Sequence, residues 1–442
     1  MNSNSAANIP FHALTDQVSA NNMKNWGDWL RGVNARGQKE YEKIGWPNGK
    51  MESWKYTNLN LLAKAPLELA SPLEFIEIPE ERVLSIDAAK IVLVNGRLDR
   101  KLSNFSMVGD GVSVNNFGDI REHQKVLFED TEEASYPIEG LPIAALNSAM
   151  ISDAVFIEVK DGCQVEKPLH IISVGSGNQI CFAPRLFILA GRHSAVDIIE
   201  SHVGCMDSTY FTNCVTKVRV AEGARCGHYK LQNEPEKSSH IALTNVCIRA
   251  RGSYDSFVAS LGGLLSRNET RALIEGRDAE CHINGTYLGA GTQHIDNTTF
   301  IEHASECGRS RQVYKGVLAQ HARGVFQGKI YVHPNAQKTD GFQMNRAMLL
   351  SDTAEIDSKP ELEIYADDVK CSHGATVGEL EEEHLFYLRA RGIDSDRARR
   401  LLVEAYVQEV LDEARSGVFA EAIKEITSKW LIENLFENFY ER

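Results

Sequence analysis

The segment Thr244–Arg251 reads TNVCIRAR and runs into the turn ARGS, Ala250–Ser253. Thr244, Val246, Ile248 and Ala250 alternate with Asn245, Cys247, Arg249 and Arg251, the period of two that a β-strand imposes. The same unit recurs on both sides. LHIISV begins at Leu169, RLFILAG at Arg185, KIYVHP at Lys329 and ELEIYA at Glu361. GSGN, AGRHS, AEGA, EGRDA, HPNAQ and SDTAE punctuate such runs. No helix-length pattern interrupts roughly Ala154–Gly378. That excludes an alternating α/β fold, which needs crossover helices. A sandwich pair, a barrel and a parallel β-helix all remain open on this text. Turn signals spaced at roughly 14 to 30 residues fit a β-helix of about ten coils with loops of uneven length. Such a rod exposes unpaired strand edges at its ends, which must be capped or bound.

The flanks read differently. From about Leu14 to Leu62 the pattern is helical, with Val18, Trp26, Leu30 and Val33 at helical spacing, until GWPNGK breaks it from Gly45. MESWKYTNL, Met51–Leu59, follows, with Trp54 and Tyr56 as packed anchors. Ile76–Ser135 mixes short strands such as KIVLVNGRL with the turn GDGV and the acidic FEDTEEAS, a solvated loop. Helix returns at the end. Asp394 and Ser395 suit an N-cap, and Leu401, Leu402, Ala405, Tyr406 and Val410 form a stripe. After Gly417 a second helix carries Phe419, Ala422, Ile423, Ile426, Trp430, Leu431, Leu435 and Phe439. This wide aromatic stripe is either core or a partner-docking face, for which Leu402, Tyr406, Trp430 and Leu435 are the candidates. The expected division is a helical region (1–75), a strand-containing lead-in (76–153), a β core (154–380) and a helical region (381–442).

Bulk properties narrow the function. Of 442 residues, 43% are hydrophobic and 24% charged, as in an ordinary globular protein. The net charge of −14 opposes general affinity for nucleic acid or anionic lipid. No run of about 18 apolar residues is present to span a membrane. The first residues read neither as a secretory signal nor as a transit peptide, so a cytoplasmic location is expected. Nine cysteines are scattered with no C-x-x-C pair, which argues against a zinc ribbon and for free thiols in a reducing compartment.

DDVKCSHGATVG, Asp367–Gly378, is the one stretch with chemistry at close spacing. In an extended run Cys371 and His373 point to one side. Thiolate and imidazole are both ligands for iron, and histidine also handles protons near neutral pH. Two ligands are too few for a closed cluster site, so a partner, sulfide or water must supply the rest. The plainer alternative is a cysteine filling core and a histidine bonded in a turn. His321 and His333 read as structural, Asp367 and Asp368 as turn residues. Glu361 and Glu363 share a strand face with no acid/base partner in view.

The longer stretch KTDGFQMNRAMLLSDTAEIDSKPELEIYADDVKCSHGATVG, Lys338–Gly378, closely resembles the signature of the SufB/SufD family of iron–sulfur cluster assembly proteins. MESWKYTNL is similar to the N-terminal E-x-W-K-Y-T element of the family's SufD branch, and the absence of C-x-x-C also favours that branch. The resemblance implies a right-handed parallel β-helix core with helical N-terminal and C-terminal regions. It implies a non-catalytic scaffold in a complex of one SufB, two SufC and one SufD, with the helical tail holding the SufC ATPase. It implies pairing with SufB through the C-terminal ends of the two β-helices, with His373 and Cys371 at that junction. A transient iron–sulfur cluster is then shared with SufB, and reduced flavin is linked to the complex as an electron source. No glycine-rich dinucleotide fingerprint stands out in this chain. An isolated chain is expected to pair with itself as a homodimer through its open end. The competing class is a carbohydrate-active β-helix enzyme, a lyase or hydrolase, which needs paired carboxylates or calcium-binding acids.

Overall fold

The computed structural model describes residues 9–22, 28–73, 75–120 and 138–436. Trp26, the acidic FEDTEEAS stretch and Phe439 lie outside them. The middle of the chain is a β-solenoid of two facing sheets. The short β1 (Glu68–Leu69) pairs with β7 (Asn178–Phe182) at the side of the first sheet. That sheet runs from β4 (Val112–Asn116) through β5 (Val155–Val159), β8 (Arg185–Ala190), β10 (Thr209–Val220) and β12 (Ser239–Ile248). It continues through β14 (Leu265–Ile274), β16 (His294–His303) and β18 (Arg323–Val332) to β20 (Glu355–Ile364). The second runs from β3 (Arg97–Asn104) and β2 (Ala89–Val94) through β6 (Leu169–Gly175), β9 (Ala195–Gly204), β11 (Arg225–Asn233) and β13 (Ser253–Ser260). Then come β15 (Glu280–Gly289), β17 (Arg309–Leu318), β19 (Asp340–Leu349) and β21 (Lys370–Gly378).

Each coil adds one strand to each sheet, parallel to the coil before it. Between residues 155 and 378 this gives about eight coils, not the ten expected. Registers show why. The step from coil to coil runs from 26 residues (Leu243 opposite Glu269) to 32 (Arg323 opposite Glu355). Shorter spacings in the sequence mark half-coils, because each coil turns more than once. Eight coils about 4.8 Å apart make a rod of about 35 Å.

One turn in each of six successive coils uses the same device. His193, Gly223, Arg251, Asp278, Cys307 and Lys338 all have positive φ, between 55° and 65°. The amide of each donates to a carbonyl of the next coil's turn: His193 to Glu222, Gly223 to Ala250, Arg251 to Arg277, Asp278 to Glu306, Cys307 to Gln337 and Lys338 to Asp368. The ladder therefore passes through the turns, which offsets the cost of about 1–2 kcal/mol that a left-handed residue carries.

Inward residues divide the lumen in two. At one side, columns such as Ile188–Val218–Val246–Ala272–Ile301–Ile330 form an apolar core. At the other, polar side chains bond across: Thr299 Oγ1 donates to Gln312 Oε1 at 2.6 Å, and Asn345 Nδ2 donates to Ser358 Oγ at 3.0 Å.

Helices cover the outer faces. α1 (His12–Asn22), α2 (Asp28–Ile44), α3 (Asn60–Ala63) and α4 (Pro142–Met150) belong to the N-terminal part. α2 packs so closely on α4 that a Cβ on Gly37 would fall 2.5 Å from the Ala149 nitrogen. Asn147 of α4 donates to the carbonyls of Pro184 and Asn213, fixing this layer on the first sheet. α5 (Glu382–Ala390), α6 (Ser395–Leu411) and α7 (Gly417–Leu431) follow β21. Asp394 caps α6 by accepting from the Arg397 amide at 2.9 Å. Val403, Val407, Phe419 and Ile423 pack on Tyr229, Leu231, Phe257 and Leu288 of the second sheet.

Two buried histidines tie stability to pH. Burial pushes His170 down to about 3, helped by Lys90, and His303 down to about 4. Below the unfolded value near 6.5, the unfolded chain takes up protons that the fold refuses, so stability falls with pH until the folded values are reached. Between pH 6.5 and 5 each histidine should cost about 2 kcal/mol. Urea unfolding at both pH values should show that loss, and His303→Asn should remove its share of the slope. An unchanged slope in the variant would exclude His303 as a contributor.

Candidate functional site at the open end of the solenoid

β20 and β21 are the last strands of their sheets. β21 pairs with β19 on one side, placing Cys371 opposite Gly341 and His373 opposite Gln343. Gly341 and Gln343 face the lumen, so Cys371 and His373 share the inward face of the final coil. The cysteine is half-buried and the histidine exposed. Cys371 packs beside Ile330, Ala336 and Ala366, and a Cβ on Gly341 would stand 3.3 Å from its sulfur. Burial pushes the Cys371 thiol up, against a backbone hydrogen bond at Gly341 that pulls it down, so a metal ion must displace its proton. Below His373 lies Gln343, fully buried, with neither amide atom partnered.

Around this pair the edge is exposed and partly apolar. Val377 is 52% exposed, Tyr365 55% and Ile364 37%. The free edges of β20 and β21 carry backbone donors and acceptors that another strand can take. The structure thus brings a thiol and an imidazole to one face of an incomplete coil, with room for further ligands from outside.

The other residues singled out from the sequence fall elsewhere. Asp367 and Asp368 are exposed in a turn, where the Asp368 carbonyl accepts from the Lys338 amide at 2.6 Å. His333 pairs with Glu302 at 2.6 Å, and His321 is exposed. Glu361 lies 3.2 Å from Lys359, and Glu363 pairs with Lys329, so neither is poised as an acid or base.

The tail candidates divide. Trp430 donates its indole N–H to the Leu261 carbonyl at 2.9 Å, and it and Leu435 are buried against the solenoid. Leu402 and Tyr406 are half-buried, with the Lys315 ammonium 4.6 Å from the Tyr406 ring centre. The apolar surface left outside on α5–α7 is Phe386, Tyr387, Leu401 and Val418. Trp430 and Leu435 therefore anchor the tail, and the exposed face is a different one.

Sequence reading missed what MESWKYTNL grips. The Arg267 guanidinium, fully buried, sits 4.0 Å from the Trp54 ring centre and pairs with Glu269 and Asp296. Thr57 donates to the same Asp296, and Lys359 pairs with Glu52. No short motif could reveal this, since the partners are more than two hundred residues apart.

Helix-flanked parallel coils whose last strands, β20 and β21, lack a further neighbour among the described residues define a β-solenoid with one open end. The chain belongs to the SufBD family of the SUF system of iron–sulfur cluster assembly. The family model "SUF system FeS cluster assembly, SufBD core domain" matches residues 172–406, and the SufBD N-terminal region matches 9–171. The chain is 31% identical over 387 residues to the iron-sulfur cluster assembly protein SufD of Escherichia coli, covering 84% of this chain and 86% of that one. It is 31% identical over 381 residues to the chloroplastic protein ABCI7 of Arabidopsis thaliana (83% and 79% covered), and 25% over 408 residues to SufD of Bacillus subtilis (87% and 90%).

Trp430→Ala removes a buried indole and its hydrogen bond, and should cost about 3–5 kcal/mol. Limited proteolysis should then cut within α7 well before the solenoid. A cleavage pattern identical to the parent's would mean that Trp430 does not hold the tail.

Proposed function

We propose that this chain is the SufD-type scaffold subunit of a cytoplasmic SUF complex. Its open solenoid end pairs with the matching end of SufB, and its C-terminal region, 381–442, recruits the SufC ATPase. The observation that carries this reading is the terminal coil, which presents His373 in the open and Cys371 half-buried beside unpaired strand edges. At the junction these two residues supply part of the ligand set for a nascent cluster, and SufB supplies the remainder. The cluster passes through as cargo. Reduced flavin acts on the assembled complex as the electron source for iron. For SufC, the exposed Phe386, Tyr387, Leu401 and Val418, bordered by Leu402 and Tyr406, are the natural contact surface.

The test is anaerobic co-purification with SufB and SufC, with iron and sulfide measured. His373→Ala should leave the three-protein complex intact and lower its iron and sulfide at least several-fold. Full cluster content in the variant would reject the ligand role. In isolation the same end should pair two copies of this chain, so light scattering should report a dimer. Val377→Lys places a charge on the free edge and should yield a monomer; a dimer surviving that change would place the contact elsewhere.

A further inference from the structure

Inside the solenoid, far from the open end, three metal-ligating side chains converge. Glu200 and His202 project inward from β9, and Cys214 projects inward from β10 in the opposite sheet. One ligand atom from each lies within 4.8 Å of the others. Their exposures are 0%, 2% and 1%. Glu200 also lies 2.6 Å from His202 Nε2 and 2.5 Å from His228 Nε2. Burial would raise its carboxyl, but the Lys230 ammonium and these two rings hold it well below the usual range, so it is anionic. Burial pushes the Cys214 thiol up to about 12.

A purely structural role accounts for part of this. A buried carboxylate paired with an ammonium and two imidazoles is satisfied. It does not account for the nitrogens left over. His202 Nδ1 is buried without a partner, and so is Nε2 of His240, whose ring meets the His202 ring edge-on at 4.9 Å. Each such atom costs about 1–3 kcal/mol unless something binds it. Nor does it account for a thiol facing a carboxylate and an imidazole when the apolar column at Val218 lies four residues along the same strand.

We propose that Glu200, His202 and Cys214 bind one divalent late-transition cation, of the class of zinc or ferrous iron. A mixed sulfur, nitrogen and oxygen set suits such an ion and disfavours calcium or magnesium. His202 has two nitrogens to offer, the one shared with Glu200 and the unpaired Nδ1. On binding, the S–H bond of Cys214 breaks, a sulfur–metal bond forms and the proton passes to solvent. His228 remains as the outer partner that orients Glu200, and the His240 ring lies edge-on against that of His202. The stacked coils close the lumen around the site, so the ion enters as the chain folds. The inference does not rest on the junction reading, because none of its ligands lies on the last coil.

The experiment uses the full chain carrying Cys371→Ser and His373→Ala, so that the open end contributes no ligand. It is expressed in medium supplemented with cobalt(II), then purified and desalted. One cobalt per chain is expected, with a thiolate-to-cobalt charge-transfer band in the near ultraviolet and visible bands of tetrahedral intensity. Adding Cys214→Ser should abolish the charge-transfer band while circular dichroism stays unchanged. His202→Gln, which keeps the sulfur, should lower retained cobalt at least tenfold and serves if the serine variant does not fold. A parent that retains no cobalt overturns the proposal. So does an undiminished band in Cys214→Ser, or undiminished cobalt in His202→Gln.

Discussion

A strand in a parallel coil can satisfy its backbone only through the coils on either side. Interior strands of this protein pair on both sides, and one turn of most coils joins the ladder through a residue of positive φ. The two ends are treated unequally. At the first coil β4 pairs antiparallel with β5, and β3 antiparallel with β2, so the edges turn back on themselves. Aromatic packing thickens that seal, with Trp29 stacked on Phe117 and Phe156 on Phe187. At the last coil no strand turns back among the described residues. β21 leads directly into α5, which lies beyond it in the chain. An exposed edge is a liability that proteins otherwise blunt. Leaving one open, with Val377 and Ile364 uncovered beside it, makes sense where the edge is meant to be met.

The lumen shows a second asymmetry. Cohesion comes from its apolar side, where each fully buried aliphatic side chain contributes about 1.5–3 kcal/mol. The other side is polar along the rod. Thr216, Thr244, Thr270 and Thr299 form one column, and His228, Ser256, Ile283, Gln312, Gln343 and His373 form another. Buried polar groups must find partners or cost more than apolar residues of equal size. A solenoid selected for stability alone would fill this side with valine and isoleucine. The column that ends at His373 is thus polar for most of its length, with the Glu200 cluster near its start and Cys371 beside its last residue.

Much of the architecture was legible because it is local. RLFILAG, TNVCIRAR and KIYVHP are strands, AEGA and ARGS are turns, and Asp394 is the cap expected of it. The choice between barrel, sandwich and solenoid was not local, since all three use the same alternating runs. The signature around Cys371 and His373 decided it. Coil number was overcounted because turn signals mark both bends of each coil. Cys307 and Lys338 gave no sign of their left-handed backbone, which the ladder imposes rather than the residue. The wide stripe of α7 was legible as apolar but not as to its partner; Trp430 turned inward because the Leu261 carbonyl, just past β13, accepts its N–H and the second sheet offers an equally apolar face. Glu200, His202 and Cys214 were invisible as a group. Cys214 reaches the others by facing them across the lumen, a relation that exists only once the coils close.

The exposure of the end residues bears on what a junction there can do. A cluster meant to stay is enclosed by ligands from one chain, as in proteins where four cysteines hold it. Here the imidazole is in water and the thiol is half covered, so neither is committed to a geometry before a second surface arrives. The Cys371 thiol also keeps its proton until a metal competes for it, because burial opposes the charge. If a second chain completes the site as proposed, affinity at such an edge would depend on both halves at once, and separating them would remove ligands from the metal without breaking any bond within the chain. On the proposed reading that is the useful property. A device that must release what it assembles gains from a site that exists only while two solenoid ends are held together, and an ATPase recruited to the tail, as proposed, would change how long that lasts.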